Sequence, residues 1–386
     1  MQEQAERIAR HAERDLEALV AVSSPSGDEA AGNECAAVCA ALVPEDAEVE
    51  RPACSSPGHA PDLLARLRGT GQKRVLLLGH LDTVVAHANH QPLRREGGEL
   101  HGSGAVDMKG GDVLALGVLG ALAGRPGLFA EAALLLVCDE EWRTAPFAHA
   151  GAFAGWDACL CFEAGETTGE GEDAVVVARK GAGTLHVRAH GRASHSGSAP
   201  DAGRNALLAL ASVARAVATH HDPAGSHRLT AVPTILNSGE AFNVVPGDGE
   251  LFCDLRADER EAFDTVLAAV PAELDGVRLE ASLLRVWPGM DAREPTAPVI
   301  ERAATALGRP LHGHARGGAS DASHFAPVIG VTIDGLGPRG GAAHNPGEFV
   351  LARSLHERAQ VALAMTLAAL EPSEGLANIR ELPVRH

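Results

Sequence analysis

Short apolar runs that stop abruptly at polar residues recur through the first half of the chain, with longer amphipathic stretches between them. Residues 4–20 put Ile8, Leu16, Leu19 and Val20 on one face of a helix. Ser23-Ser24-Pro25-Ser26-Gly27 breaks it, and a second helix is expected from Asp28 to Leu42. Short strands follow near 61–68 and 73–79, a glycine-flanked helix from about Met108 to Leu122, and strands at 131–138 and 157–162. Apolar strands alternating with helices predict an α/β layer around a buried, mostly parallel sheet. Ligands of such sheets gather at the carboxyl ends of the strands.

After Glu170 the pattern changes. Thr184 to His190 alternates cleanly, as a strand with one wet face does. Helices are expected at 205–219 and 258–270, and strands at 229–236, 249–256 and 277–284. Two helices and about four strands make a compact α+β unit inserted into the first layer. A helix at 298–307, a strand at 328–333 and a long helix at 352–370 then complete that layer, and the tail beyond Glu371 reads as loosely tied. The expected organisation is a first body at 1–175, the insertion at 176–290 and the rest of the body at 291–386. At 386 residues, two cores are the natural outcome.

Composition narrows the functional classes. The chain is 45% apolar and 22% charged, with no apolar stretch near the length of a membrane span. A formal charge of −18 argues against nucleic acid or an anionic membrane as partner. The N-terminal stretch lacks a basic start and an apolar core, and the seven cysteines have no zinc-knuckle spacing, so a cytoplasmic protein with reduced thiols is expected. Cys138, Cys159 and Cys161 read as buried, inert thiols. With no tyrosine in the chain, His, Arg or metal must do the work of a phenol.

The candidate chemistry lies where the apolar runs end. His80 and Asp82 follow Val75–Leu78, Asp139-Glu140-Glu141 follows Leu134–Val137, and Glu163 follows Ala158–Phe162. Asp107 opens Asp107-Met108-Lys109-Gly110-Gly111, and His344 sits in Ala343-His344-Asn345-Pro346. Singly, each has a plain reading: a capped strand end for His80 and Asp82, a helix N-cap for Asp107. The acidic trio is harder to explain so, because three adjacent carboxylates repel one another unless cations neutralise them. Two metals roughly 3.5–4 Å apart need a bridging carboxylate, terminal ligands on each side and a free carboxylate nearby as base. His80, Asp107, Glu141, Glu163 and His344, with a glutamate to spare, supply that inventory. Gly335-Leu336-Gly337-Pro338-Arg339-Gly340 matches a dinucleotide loop in spacing, but Pro338 and the glycines after it argue against the helix such a loop must open.

The segments GHLDTV (79–84), DMKGG (107–111), DEE (139–141), FEAG (162–165), GRASHSG (191–197), FNVVP (242–246) and AHNPGEFV (343–350) together resemble the M20 metallopeptidase family. VVARKG (176–181) and DGLGPRGGAAHNP (334–346) look most like its carboxypeptidase G2-like glutamate carboxypeptidases. The resemblance implies two zinc sites, one completed by His80 and Glu163 and the other by Glu141 and His344, bridged by Asp107. It makes Asp82 the residue that orients His80, and Glu140 the general base. It further implies that the insertion is a lid and dimerisation unit. There His195 would stabilise the oxyanion in a partner subunit, while Asn243 and Arg256 help to hold the substrate. From the residues alone His195 also reads as part of a surface turn, and Arg256 as a carboxylate anchor or one half of a structural ion pair. Two features depart from the pattern: Trp142-Arg143-Thr144 follows the acidic trio where small residues are usual, and Ala319-Ser320 carries its hydroxyl one place late.

The expected protein is therefore a homodimeric di-zinc hydrolase, with cobalt or manganese as other fits to mixed oxygen and nitrogen ligands. It would cleave an amide beside a free carboxylate in an N-acyl amino acid or short peptide. An N-acyl amino acid deacylase using the same residues is the second expectation, and an inactive metal-dependent binding protein the third.

Overall fold

The computed structural model describes residues 1–371, so the tail expected to be loosely tied lies outside the described residues. Its larger sheet runs Glu48–Glu50, Leu63–Arg68, Glu131–Val137, Arg74–His80, Ala158–Cys161, Val331–Ile333 in spatial order. The last four strands are parallel and the first two join antiparallel at one edge, so the α/β, mostly parallel expectation holds. Alternation explains why the parallel strands are apolar along most of their length: successive side chains feed opposite cores. Leu77, Leu134, Leu136 and Leu160 pack with helices Gln2–Val20, Gly110–Ala123 and Ala352–Leu370. Leu76, Leu78, Leu135 and Cys159 pack on the other side with Phe153, Trp156 and Phe325.

The helices form for legible reasons. Gln2–Val20 buries Ala5, Ile8, Ala12, Leu16 and Leu19, a stripe at three- and four-residue spacing. Asp28 caps the helix Glu29–Leu42, its Oδ1 accepting from the Ala31 amide at 3.0 Å. The helix Arg293–Leu307 starts earlier than its apolar pattern suggests and stops at Gly308, where φ is +67°. Cys138, Cys159 and Cys161 are free and buried, as expected.

The second sheet is antiparallel, in the order Thr230–Ser238, Asp248–Ala257, Gly181–His190, Val277–Trp287, Glu273–Leu274. Helices Ala206–Ala218 and Glu261–Ala268 cover one face around Leu185, Val187, Leu210, Leu255 and Phe263. The chain crosses between the bodies at Lys180. Strand Asp173–Arg179 pairs with Leu311–Arg316 in the larger body, and Gly181–His190 opens the inserted sheet. It returns at Met290, which pairs back on Arg179. Strand Thr230–Ser238 lies at an open edge and exposes Val232, Ile235 and Leu236.

Candidate active site

Three parallel strands, Arg74–His80, Glu131–Val137 and Ala158–Cys161, finish at the same edge and bring His80, Asp139-Glu140-Glu141 and Glu163 together. Asp107 stands between two imidazoles. Its Oδ1 lies 3.1 Å from His80 Nε2 and its Oδ2 3.1 Å from His344 Nε2. Glu163 Oε1 is 3.8 Å from His80 Nε2, and Glu141 Oε1 is 3.2 Å from His344 Nε2. Two triads result, His80–Asp107–Glu163 and Asp107–Glu141–His344, each with ligand atoms within 4.8 Å of one another.

Long-range contacts set these positions. Asp107 lies in the irregular turn Ala105–Lys109 ahead of the helix Gly110–Ala123. Glu348 holds that turn, its carboxylate accepting the amides of Gly104 at 2.9 Å, Val106 at 2.8 Å and Asp107 at 3.0 Å. His344 has a φ of +64° two residues after Ala342 at +57°, a left-handed backbone that non-glycine residues adopt mainly where surrounding structure compels it.

Asp82 anchors the Glu140-Glu141 turn as well as facing His80. Its Oδ1 is 3.4 Å from His80 Nδ1. The same carboxylate accepts the Glu140 amide at 3.1 Å and the Glu141 amide at 3.0 Å. Asp139 turns away from the pocket, accepting from Ser56 Oγ at 2.7 Å and from Arg143 at 2.9 Å. Of the acidic trio, one residue thus anchors the turn, one belongs to a triad and Glu140 is left over.

The donor set suits divalent cations. His80 Nδ1 lies 3.0 Å from the Asp82 carbonyl oxygen, which can only accept, so a ring proton sits there and Nε2 is aimed at Asp107 at 3.1 Å. Against the cost of burial, the hydrogen bonds to Asp107 and Asp82 hold the imidazole well above its usual value, so positive charge is favoured between Nε2 and that carboxylate. Glu141 Oε1 is buried without a hydrogen bond despite its approach to His344. Burial, then the charge of Asp107, pushes Glu163 up to about 8. Burial, with Asp321, Glu141 and Glu163 nearby, raises Glu140 well above the carboxylate range. Hydrogen bonds to Asp107 and Glu141 draw His344 up to about 10. Two divalent ions, held by His80, Asp107, Glu163, Glu141 and His344, would satisfy these groups together.

The pocket at this centre has a volume of about 420 Å³. Besides the acidic residues it is lined by four arginines, Arg179, Arg256, Arg285 and Arg316. Arg256 lines the pocket and pairs with Asp254 at 3.1 Å. Arg179 is buried against Asp334 at 2.6 Å, while Arg316 pairs with Glu166 at 3.0 Å. Sequence reasoning missed Arg179, Arg285, Arg316 and Glu348. Arg179 and Glu348 lay inside quoted motifs without being singled out, and Arg316 just before the Gly317-Gly318 loop, but Arg285 carried no local signal. His195 and Asn243 are not among the pocket-lining residues of their own chain. His195 is exposed on a short strand, its Nδ1 accepting the Gly197 and Ser198 amides at 3.1 Å each, so the ring proton belongs on Nε2. The Asn243 carbonyl accepts the Ser196 amide at 2.9 Å.

Residues 76–368 match the model of peptidase family M20/M25/M40. Carboxypeptidase G2 of Pseudomonas sp. (strain RS-16) is 27% identical over 334 residues, 80% of this chain and 77% of the relative. Succinyl-diaminopimelate desuccinylase of Xylella fastidiosa (strain 9a5c) is 30% identical over 315 residues, 73% of this chain and 80% of the relative. Among solved structures, aminopeptidase PepT from Bacillus cereus ATCC 10987 superposes with a TM-score of 0.73 at 19% identity, over 94% of this chain and 99% of that one.

Proposed function

The chain belongs to peptidase family M20/M25/M40 and is a metal-dependent hydrolase, and from that premise we propose that it cleaves an amide beside a free carboxylate, as a glutamate carboxypeptidase-like exopeptidase. One observation carries the reading. A doubled imidazole–carboxylate centre shares its pocket with Glu140, which lies outside both triads, and with four guanidiniums. His80, Asp107, Glu141, Glu163 and His344 would hold two divalent ions, zinc by preference. When bound, these would polarise the scissile carbonyl and lower the pKa of water.

The chain's own residues supply the rest. Glu140 takes a proton from the attacking water as the new carbon–oxygen bond forms. It then delivers that proton to the amine nitrogen as the carbon–nitrogen bond breaks. Asp82 fixes the aim of that carboxylate through the Glu140 and Glu141 amides. Arg256 takes the free carboxylate, a pairing that guanidinium geometry favours. In a homodimer His195 donates from Nε2 to the developing oxyanion of the partner's site, with Asn243 beside it. The N-acyl amino acid deacylase reading keeps every role and changes only the substrate. It draws support from the identity shared with the Xylella desuccinylase.

Glu140→Gln tests the mechanism. Turnover should fall about 10²–10⁴-fold, while metal content and affinity for a product carboxylate stay as in the parent protein. Undiminished turnover would remove Glu140 from the chemistry. A panel of peptidyl- and N-acyl-glutamates against other N-acyl amino acids, after metal reconstitution, decides the substrate. If acidic C-terminal residues earn no preference, the deacylase reading takes over.

A further inference from the structure

The cleft has a second arm. A groove of about 690 Å³ runs between Trp142–Phe147, which directly follow Glu141, and Leu283–Pro288 at the end of the inserted sheet. Arg285 and Trp287 line both this groove and the pocket of Glu140 and His344, so the two spaces join there. Arg285 also lines a third space, over the open face of the inserted sheet, and is the one residue common to all three.

The groove is chemically unlike the pocket. Five carboxylates line the pocket and none lines the groove, whose walls carry Trp142, Phe147, Leu283, Leu284 and Trp287. Trp142 is 47% exposed on one wall and Leu284 39% exposed on the other, a large uncovered apolar surface beside a polar centre. The floor is preorganised. Arg143 pairs with Asp139 at 2.9 Å and Asp321 at 2.7 Å while lying over the rings of Phe147 and Trp287. His324 stacks on Phe147 at 4.7 Å. Arg143 is thereby neutralised, and Arg285 is the cation that faces the junction. It has a φ of +51° in a bulge where the register of Gly181–His190 against Val277–Trp287 slips. A bulge of this kind re-aims a side chain. Its guanidinium donates to the Glu141 carbonyl, and no carboxylate lies within ion-pair distance among the described residues.

We infer that the groove is an acyl subsite for an aryl-bearing acyl group, with Arg285 as the specificity-determining residue at its mouth; the inference rests on the amide hydrolase reading above. The scissile carbonyl sits by Glu140, the substrate's free carboxylate lies toward Arg256 and Arg316, and the aryl group extends over Trp142 and Leu284. Apolar ring surface matches the walls, and Arg285 at the mouth, with Arg260 also lining the groove, excludes a cationic acyl group.

The experiment compares kcat/KM for N-(3-phenylpropionyl)-L-glutamate and N-acetyl-L-glutamate on metal-loaded protein. It also measures binding of 3-phenylpropionate and of acetate by calorimetry. The aryl substrate should lead by about tenfold or more, and Leu284→Glu, at an exposed position that tolerates a charge, should bring that ratio near one. Binding of 3-phenylpropionate should exceed that of acetate and be lost in Leu284→Glu. Equal kcat/KM values in the parent protein, or a ratio that Leu284→Glu leaves untouched, overturns the groove. If neither substrate turns over but 3-phenylpropionate binds and Leu284→Glu abolishes it, the hydrolase reading fails and the groove stands. If neither turns over and 3-phenylpropionate does not bind, the groove falls as well.

Discussion

His324 shows how the fold fixes a protonation state one residue at a time. Burial, with Arg143 adding to it against the pull of Asp321, drops its imidazole to about 4. It stacks on Phe147, and its Nε2 finds no hydrogen-bond partner among the described residues. The folded protein thus refuses a proton that the unfolded chain accepts near the usual imidazole value of about 6.5. Between those two values the unfolded state binds more protons, so stability rises with pH and is lost as pH falls from about 6.5 toward 4. This one group accounts for a loss on the order of 3 kcal/mol across that window. His324→Gln, neutral throughout, should show a visibly smaller drop in urea midpoint between pH 7 and pH 4.5. Parallel curves for the two proteins would mean that His324 is not the group responsible.

Elements come next, and the helix Gly110–Ala123 shows what they demand. A Cβ on Gly111 would lie 1.9 Å from the carbonyl oxygen of Phe162, the residue before Glu163. A Cβ on Gly120 meets nothing within 4 Å. The same change in the same helix should therefore have opposite signs. Gly120→Ala gains about 0.5–1 kcal/mol from helix propensity and a less free unfolded chain. Gly111→Ala costs about 2 kcal/mol or more, because backbone atoms cannot step aside, and it weakens metal binding by displacing Glu163. Chemical denaturation and a metal titration read both; stabilisation by both variants would show that the helix does not press on that strand. The same helix marks the limit of what the sequence discloses. Its apolar period places it to within two residues, yet it begins at Gly110, because Asp107 and Met108 leave helical geometry to serve the site. The candidate ligands His80, Glu141 and Glu163 were legible because parallel strands deliver their ends to one edge, a rule of topology. The role of Glu348 was not, although it stands in a quoted motif, since its three bonds reach back more than 240 residues. Strand Leu311–Arg316 was not either, because its two histidines, glycine and arginine carry no apolar signal; only pairing with Asp173–Arg179 makes it a strand.

At the scale of the whole molecule, the inserted unit carries what a second copy of the chain would use. His195 is held with Nε2 as a donor, yet it lies outside the pocket of its own chain. On the same unit the edge strand Thr230–Ser238 exposes Val232, Ile235 and Leu236, and the helix Ala206–Ala218 exposes Leu208. An open apolar edge of this sort invites pairing. If it pairs with a second copy about a twofold axis, each His195 can serve the other subunit's site. Complementation tests this directly. Chains carrying His195→Ala keep Glu140 but donate no imidazole; chains carrying Glu140→Gln donate the imidazole but lack the base. Co-expressed in equal amounts, half of the dimers are mixed, and one site in each mixed dimer has both groups. Activity should therefore recover to about a quarter of the parent level, although each variant alone is nearly inactive. If mixed dimers are isolated and remain as inactive as their parents, His195 does not act across the interface. Full activity from a species that light scattering finds monomeric would remove the interface as well.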